Sequence, residues 1–303
     1  MKPAVLSKLA NAGRHHPFTW RYGFNLRWTL EYKFRPHHLE DEVANVVADL
    51  NRDGIAIVSA EKLLGSESCL NELMETVAQQ EQEQAAVLAE ARTQVNDLES
   101  NSEKTFVVEL LGSRPLLNPN NVFARFALEK NILQVANAYF EMYTRLRYYN
   151  IWHTFTTQAE ARQSQLWHRD REDHHILKVF VYFSDVDEGT GPLTYAAGSH
   201  PKGNLKRDPE CFLEGVVKRS TDEQMAAVVP KEKWIKATGP KGTIVFADTR
   251  GYHKGGLARE SERIMYVCMF TSPASQSKEL FELPHDIKTP EDREQSYALM
   301  NVL

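Results

Sequence analysis

The sequence predicts a mainly β protein of the α+β class, a helical first part leading into an antiparallel sandwich or barrel. Three observations point there. Apolar residues in the first 143 positions recur mostly at helical spacing. From about residue 144 the rhythm changes to short extended runs, LRYYNIWHTF, SQLWHRD, HILKVFVYFSDV, LTYAAGSH, GTIVFAD and RIMYVCMFTS. Gly, Pro, Asp and Asn turns separate those runs, the punctuation of antiparallel sheets.

In chain order, every even position from Phe18 to Phe34 is apolar. A period of two predicts one long strand, or a hairpin breaking near Gly23 to Asn25, with Arg21, Arg27 and Lys33 on the outer face. Leu39, Val43, Val46, Val47 and Leu50 form one stripe of a helix that Asn51-Arg52-Asp53-Gly54 stops, and Ile55 to Val58 reads as a buried strand. Positions 70, 74, 77, 81, 84, 88, 91, 95 and 98 follow a heptad rhythm with Glu81 and Gln84 in the seam. That polar middle favours one or two amphipathic helices packed on the domain, while a homodimer through them stays open. Asn118-Pro119-Asn120-Asn121 is a turn and helix entrance, and Ile132, Val135, Ala136, Tyr139, Phe140 and Tyr143 stripe the next helix. Residues 201 to 238 are charged and irregular and read as an insertion carrying a helix near Asp222 to Val228. Thr289 as N-cap and Pro290 behind it start a last helix that runs to about Met300. Together these predict a single domain, residues 1–143 packing on a core of 144–303.

Composition narrows the function. The 303 residues are 42% hydrophobic and 25% charged, which excludes disordered, collagenous and mucin-like classes. Thirty-six Lys and Arg against 41 Asp and Glu, a net charge of -5, argue against a chain-wide nucleic-acid footprint. Cys69, Cys211 and Cys268 are too few and scattered for a disulfide framework or a Cys-rich zinc site. The start lacks an apolar leader, and no window reaches the roughly 18 consecutive apolar residues of a membrane helix. The expectation is a cytoplasmic protein with no membrane partner.

His168-Arg169-Asp170 falls in the β half, where positions i and i+2 project to one face, so an imidazole and a carboxylate can converge on one ion. Alone, such a triplet is as often a surface or capping feature. His253 follows the run GTIVFAD, and ten residues later Arg263 opens the next run. Two His and one Asp on one face leave three coordination positions open. That suits non-haem Fe(II) with a bidentate ligand and O2, whereas zinc prefers a closed tetrahedron. A chelating keto acid needs its distal carboxylate anchored, and the planar fork of Arg263 is placed for it. The plain alternative is a surface salt bridge from Arg263 to Glu260 or Glu262; Arg259 falls in the loop and is the poorer anchor.

WHRDRED, the stretch LKVFVYFSDVDEGTGPLTYAAGSH and GTIVFADTRGYHKGG followed by Arg263 resemble the phytanoyl-CoA dioxygenase family of Fe(II)- and 2-oxoglutarate-dependent oxygenases. The resemblance covers about residues 144 to 273, with NRDGIAIV at 51 to 58 similar to the family's opening strand; residues 1 to 38 and 65 to 115 show no motif. It implies a double-stranded β-helix, the jelly-roll or cupin-like sandwich, with His168, Asp170 and His253 holding the iron and Arg263 binding 2-oxoglutarate. Further polar contacts to the cosubstrate are expected from the flanking strands. Asn150 and Gln165 are candidates on one; Lys178, Phe180 and Tyr182, which share a face, are candidates on the other. Each has a plain alternative: core for Phe180, a loop hydrogen bond for Tyr182, solvent for Lys178. Gly191, Gly198 and His200 read as turn scaffold, His174 and His175 as solvated loop, and His15, His16, His37 and His38 as surface. The implied reaction consumes O2 and 2-oxoglutarate, releases succinate and CO2, and oxidises a C–H bond of a small molecule. Related halogenases carry Gly or Ala where Asp170 stands, so hydroxylation, desaturation or ring closure is favoured. Two other classes remain: a non-catalytic metal- or 2-oxoglutarate-binding jelly roll, and a nucleic-acid-directed AlkB-like oxygenase suggested only by the aromatic and basic stretch 14 to 38.

Overall fold

Alternation decides the architecture. In β4 (Leu177–Tyr182), Leu177, Val179 and Val181 face one core cluster while Phe180 and Tyr182 face another. A one-residue slip would exchange the two sets and push the Lys178 ammonium into hydrocarbon. Each buried aliphatic side chain contributes roughly 1.5–3 kcal/mol, so the register is strongly specified. The same parity runs through the neighbouring strands of a computed structural model that describes residues 16–95, 105–214, 218–275, 280–284, 288 and 290–299. His15, Leu98, Thr289 and Met300 fall outside them.

β1 (Ile55–Ser59), β2 (Val107–Glu109), β3 (Arg145–Thr154), β4, β7 (Thr243–Asp248) and β9 (Arg263–Thr271) form a six-stranded antiparallel sheet in the order β1-β7-β4-β9-β3-β2. β5 (Thr194–Ala196), β6 (Trp234–Lys236) and β8 (His253–Lys254) form a smaller sheet in the order β6-β5-β8. Leu193, Tyr195 and Ala237 from the small sheet and its edges pack with Tyr148, Phe180, Val245 and Val267 of the large one. The result is the jelly-roll sandwich within an α+β fold. The run SQLWHRD forms two isolated bridges, Trp167 with Ser220 and His168 with His253, rather than a strand. β6 lies inside the stretch expected to be an insertion, so the end of that stretch is part of the sandwich.

Helices cover the outer face of the large sheet. Val43, Val46 and Leu50 of α2 (Asp41–Asp53) and Ile132, Val135 and Ala136 of α6 (Lys130–Phe140) join Val179, Phe246 and Cys268 in one core. Gly54, at φ 84°, ends α2 in the left-handed conformation that glycine tolerates and turns the chain directly into β1. The heptad segment is two helices, α3 (Ser68–Glu83) and α4 (Ala85–Gln94), whose Leu70, Leu73, Val77 and Leu88 are buried in the protein's own core. Asn121 caps α5 (Val122–Ala127), and Thr221 caps α7 (Asp222–Ala226) with a reciprocal bond from Gln224. The last helix, α8, spans Arg293–Leu299.

The expected strand at Phe18 to Phe34 is helical: a short turn, a π-helical stretch Trp20–Phe24, and α1 (Leu26–Lys33). Strict alternation is also the sum of two i, i+4 ladders, which a helix satisfies equally well. Trp20 and Tyr32 of one ladder are buried and Phe24 and Trp28 half-buried, while Phe18, Tyr22, Leu26, Leu30 and Phe34 of the other are exposed. Trp20 anchors the segment: its indole Nε1 donates to Asp173 Oδ1 at 2.7 Å, and Ser272 N donates to Asp173 Oδ2 at 2.7 Å. Burial raises the Asp173 carboxyl above the usual carboxylate range against those donors. Replacing Trp20 with Phe keeps most of the hydrocarbon and removes one donor from a buried carboxyl, so it is expected to cost about 1–3 kcal/mol. Urea unfolding measures this; an unchanged midpoint would show that the N-terminal helix is not docked through Trp20.

Candidate metal centre

Two backbone hydrogen bonds bring distant segments together. His168 N donates to His253 O at 2.9 Å and His253 N donates to His168 O at 3.0 Å, so the imidazoles emerge as a cross-strand pair with ring centroids 4.2 Å apart. Asp170 N donates to Thr249 O at 2.9 Å, and Arg250 Nη1 donates to Asp170 O at 3.0 Å. The His-x-Asp pair therefore converges through its bonds to the β7–β8 connection, not through strand parity. His168 Nε2 lies 4.0 Å from Asp170 Oδ1, and His253 Nε2 lies 3.9 Å from Oδ2. Ligand atoms of all three residues fall within 4.8 Å of one another.

Protonation favours a metal. His168 Nδ1 lies 2.9 Å from Leu166 O and His253 Nδ1 lies 3.1 Å from Gly251 O. A carbonyl only accepts, so Nδ1 carries the proton in both rings and Nε2 presents a lone pair. Burial holds both imidazoles below their ordinary pKa, and for His168 the neighbouring His253 adds to it. Burial alone would raise Asp170, but Lys178 and the two imidazoles outweigh it and hold the carboxyl well below the usual range. Lys178 Nζ stands 2.7 Å from Asp170 Oδ2, so an ammonium neighbours the oxygen that lies 3.9 Å from His253 Nε2. Two unprotonated nitrogens and an ionised carboxylate gathered on one face fit a divalent transition metal with open positions.

The three residues line a cavity of about 160 Å³, shared with Gln165, Lys178, Tyr182 and Arg263. Arg263 is 5% exposed; its guanidinium donates to the Gly191 carbonyl and its Nε has no partner. The surface salt bridge is not formed: Glu262 binds Arg92 at 2.6 Å and His153 at 2.7 Å instead. Arg259 donates to Thr157 O. Tyr182 donates its hydroxyl to Ala237 O at 2.6 Å, and burial pushes the phenol up to about 12, so it presents its ring and keeps its proton. Gln165 Oε1 accepts from Arg162 N at 3.2 Å.

Asn150 is not on this cavity. Its amide donates to Gly112 O at 2.7 Å and accepts from Leu111 N at 3.1 Å, tying down the turn after β2. His174 and His175, expected to be solvated, are buried against Trp20. His175 Nδ1 lies 2.7 Å from Asp248 Oδ2, which also accepts from the Tyr139 hydroxyl at 2.6 Å. Those partners outweigh burial and hold Asp248 down to about 2. His37, expected on the surface, is half-buried and stacks on Tyr32 at 3.7 Å. His200 lies 3.2 Å from Asn51 O, in scaffold. Asp248, the last residue of FAD, was the signal for this buried network: an acid closing an otherwise apolar central strand. Arg219 also lines the cavity and went unpredicted, because the irregular stretch around it carries no periodicity to place it.

No protein-family model matches the chain, and no curated protein sequence is similar to it. Among solved structures, EctD from S. alaskensis with 2-oxoglutarate and 5-hydroxyectoine is 15% identical, covering 82% of this chain and 83% of that one at a TM-score of 0.52. EctD from the same source with bound Fe is 15% identical, covering 84% and 85% at a TM-score of 0.51. The non-heme alpha ketoglutarate dependent epimerase SnoN from nogalamycin biosynthesis is 20% identical, covering 76% and 83% at 0.48. The chain shares the fold of the EctD structures. Calorimetric titration with Mn(II) under argon, with 2-oxoglutarate present, is expected to give one ion per chain. His168→Ala and His253→Ala are each expected to lose at least about 100-fold in affinity, the upper end of what removing a merely supporting group costs. Wild-type affinity in either variant would remove that residue from the ligand set.

Proposed function

We propose that the protein is an Fe(II)- and 2-oxoglutarate-dependent dioxygenase that oxidises, by hydroxylation first of all, a C–H bond of a small organic molecule. His168, Asp170 and His253 hold the iron, and Arg263 receives the distal carboxylate of 2-oxoglutarate. One observation carries the reading: a buried guanidinium with no carboxylate partner among the described residues faces the same cavity as a two-His, one-carboxylate face. An unpaired buried charge costs several kcal/mol, and a dianionic cosubstrate offsets that cost. The ligands of the two EctD structures, Fe in one and 2-oxoglutarate in the other, support it.

The bound iron, 2-oxoglutarate and O2 would supply the oxidising power, with release of succinate and CO2. The chain's own residues bind, orient and exclude water. Arg263 fixes one end of the cosubstrate by a forked contact, and Gly191 O, on its Nη1, fixes the fork. Trp152, Phe180, Leu193 and Met265 wall the cavity with hydrocarbon and keep its dielectric low. Asp170 supplies a third protein ligand, which leaves no place for the halide a halogenating site takes up.

The nucleic-acid alternative rested on the N-terminal stretch, which is helical and partly docked. Of the aromatic and basic residues there, Trp20 and Tyr32 are buried, Arg21 pairs with Glu141 at 3.1 Å and Arg27 with Glu31 at 2.8 Å, while Phe18, Tyr22 and Phe34 are exposed. Cys69, Cys211 and Cys268 are free thiols, which suits the reducing cytoplasm. Among the described residues no helix is long and apolar enough to cross a membrane.

Incubation with Fe(II), 2-oxoglutarate, O2 and a metabolite extract is expected to yield succinate and a product heavier by one oxygen. No succinate under any condition, together with no binding of 2-oxoglutarate to the Mn(II) form, would overturn the reading. Arg263→Ala is expected to raise KM for 2-oxoglutarate at least about tenfold. An unchanged KM would move the anchor elsewhere.

A further inference from the structure

We propose that Lys178 is a charge gate on the metal centre: its ammonium holds the Asp170 carboxylate that the ion needs, so a divalent cation binds tightly only together with an anionic cosubstrate. The inference rests on the reading of the site given above and adds a role for a residue that the ligand set does not include.

Parity places Lys178 at the gate. In β4 it pairs with Ala247 of β7 and Met269 of β9, in the middle of the large sheet. With Phe180 and Tyr182 it points into the cavity rather than to the helices. Its Nζ reaches Asp170 Oδ2 at 2.7 Å, the oxygen that stands 3.9 Å from His253 Nε2. An ion taken up on Oδ2 would share this oxygen with the ammonium or displace it, and one taken up on Oδ1 would share the same carboxylate charge.

The charges around the cavity say when displacement is favourable. Asp170 and Glu109 are its carboxylates; Lys178, Arg219 and Arg263 are its cations. Glu109 lies next to the Asn150 amide, 3.5 Å away, and Arg219 donates to Lys218 O at 3.2 Å. No ion pair other than the one with Asp170 holds Lys178 among the described residues. A divalent cation arriving alone adds positive charge beside an ammonium whose counter-charge it takes, in a site of low dielectric. Cation and dianion arriving together bring no net charge, and the released ammonium gains a carboxylate to bind. The two ligands are thus coupled through Lys178, and linkage makes the coupling reciprocal. A neutral side chain at 178 removes the competition; an arginine keeps it.

The test is binding, read without turnover. Mn(II) is titrated calorimetrically under argon into wild type, Lys178→Met and Lys178→Arg, each with and without 2-oxoglutarate. Expected is that Lys178→Met binds Mn(II) alone at least about tenfold more tightly than wild type, about 1.4 kcal/mol. Lys178→Arg is expected to stay within about threefold of wild type, and 2-oxoglutarate to strengthen Mn(II) binding more in wild type than in Lys178→Met. Equal Mn(II) affinities for wild type and Lys178→Met, or equal enhancement by 2-oxoglutarate, would overturn the gate while the oxygenase reading stands. No Mn(II) binding by any form with 2-oxoglutarate present would overturn both. Lys178→Gln serves if Lys178→Met fails to fold, as judged by circular dichroism, and an Mn(II) affinity of wild type that ignores 2-oxoglutarate sinks the gate without any variant.

Discussion

The paired backbone hydrogen bonds between His168 and His253 are the constraint on which the rest depends. They join segments that no local pattern connects, and they do so with groups that mutation of a side chain cannot remove. Once the two backbones are paired, both Nδ1 atoms find carbonyls within their own turns, at Leu166 and Gly251, and both Nε2 atoms turn inward. The Asp170 N–H on Thr249 O then brings the carboxylate to the same place. A metal centre made this way is an outcome of chain pairing before it is an outcome of side-chain chemistry.

Charge inside the sandwich obeys a second constraint. The stability of a small domain is of the order of 5–15 kcal/mol, and burial of an uncompensated ion takes several of these. The large sheet nonetheless projects Lys178 and Arg263 inward, with Asp170 the near counter-charge for one and, among the described residues, only the Gly191 carbonyl bonded to the other. Away from the cavity two buried acids are supplied with several donors each. Asp248 has His175, Tyr139 and the backbone N–H of Ile176 and Arg250 as donors, and Asp173 has Trp20, His174 N and Ser272 N. Several donors around Asp248 and Asp173, against a single carbonyl on Arg263, set those acids apart from the candidate site.

The sequence was legible where parity had one physical meaning. In β4 every residue but the half-buried Lys178 is buried, yet the inner face mixes Lys178, Phe180 and Tyr182 while the outer face is Leu177, Val179 and Val181, and the alternation survives folding. At Phe18 to Phe34 the same alternation had two meanings, and helical pairing with Trp20 on Asp173, 153 residues away, decided between them. Asn150 shares inner-face parity with Tyr148 and Trp152, but the turn at Leu111 and Gly112 lies over it and takes its amide. His175 was hidden for the reverse reason: its loop is charged in sequence and buried by partners that sequence does not reveal. Local pattern reports which face a residue takes, and tertiary cover decides what that face meets.

The stretch once counted as an insertion shows how cover becomes mechanism. Ser220 pairs with Trp167 through two backbone bonds of 3.0 Å, immediately before His168. Two residues on, Asp222 Oδ1 accepts from the Trp167 indole at 2.7 Å and from Lys254 Nζ at 2.5 Å. Trp167 precedes one imidazole and Lys254 follows the other, so a single carboxylate at the start of α7 clamps the outer sides of both ligand residues. The Thr221 cap fixes the first turn of that helix and with it the carboxylate. Arg219, set by the same bridge, faces the cavity. A segment with no periodicity of its own thus holds the two histidines in register from outside while placing a cation on the cavity wall, which ties the geometry of the candidate metal centre to an irregular part of the chain.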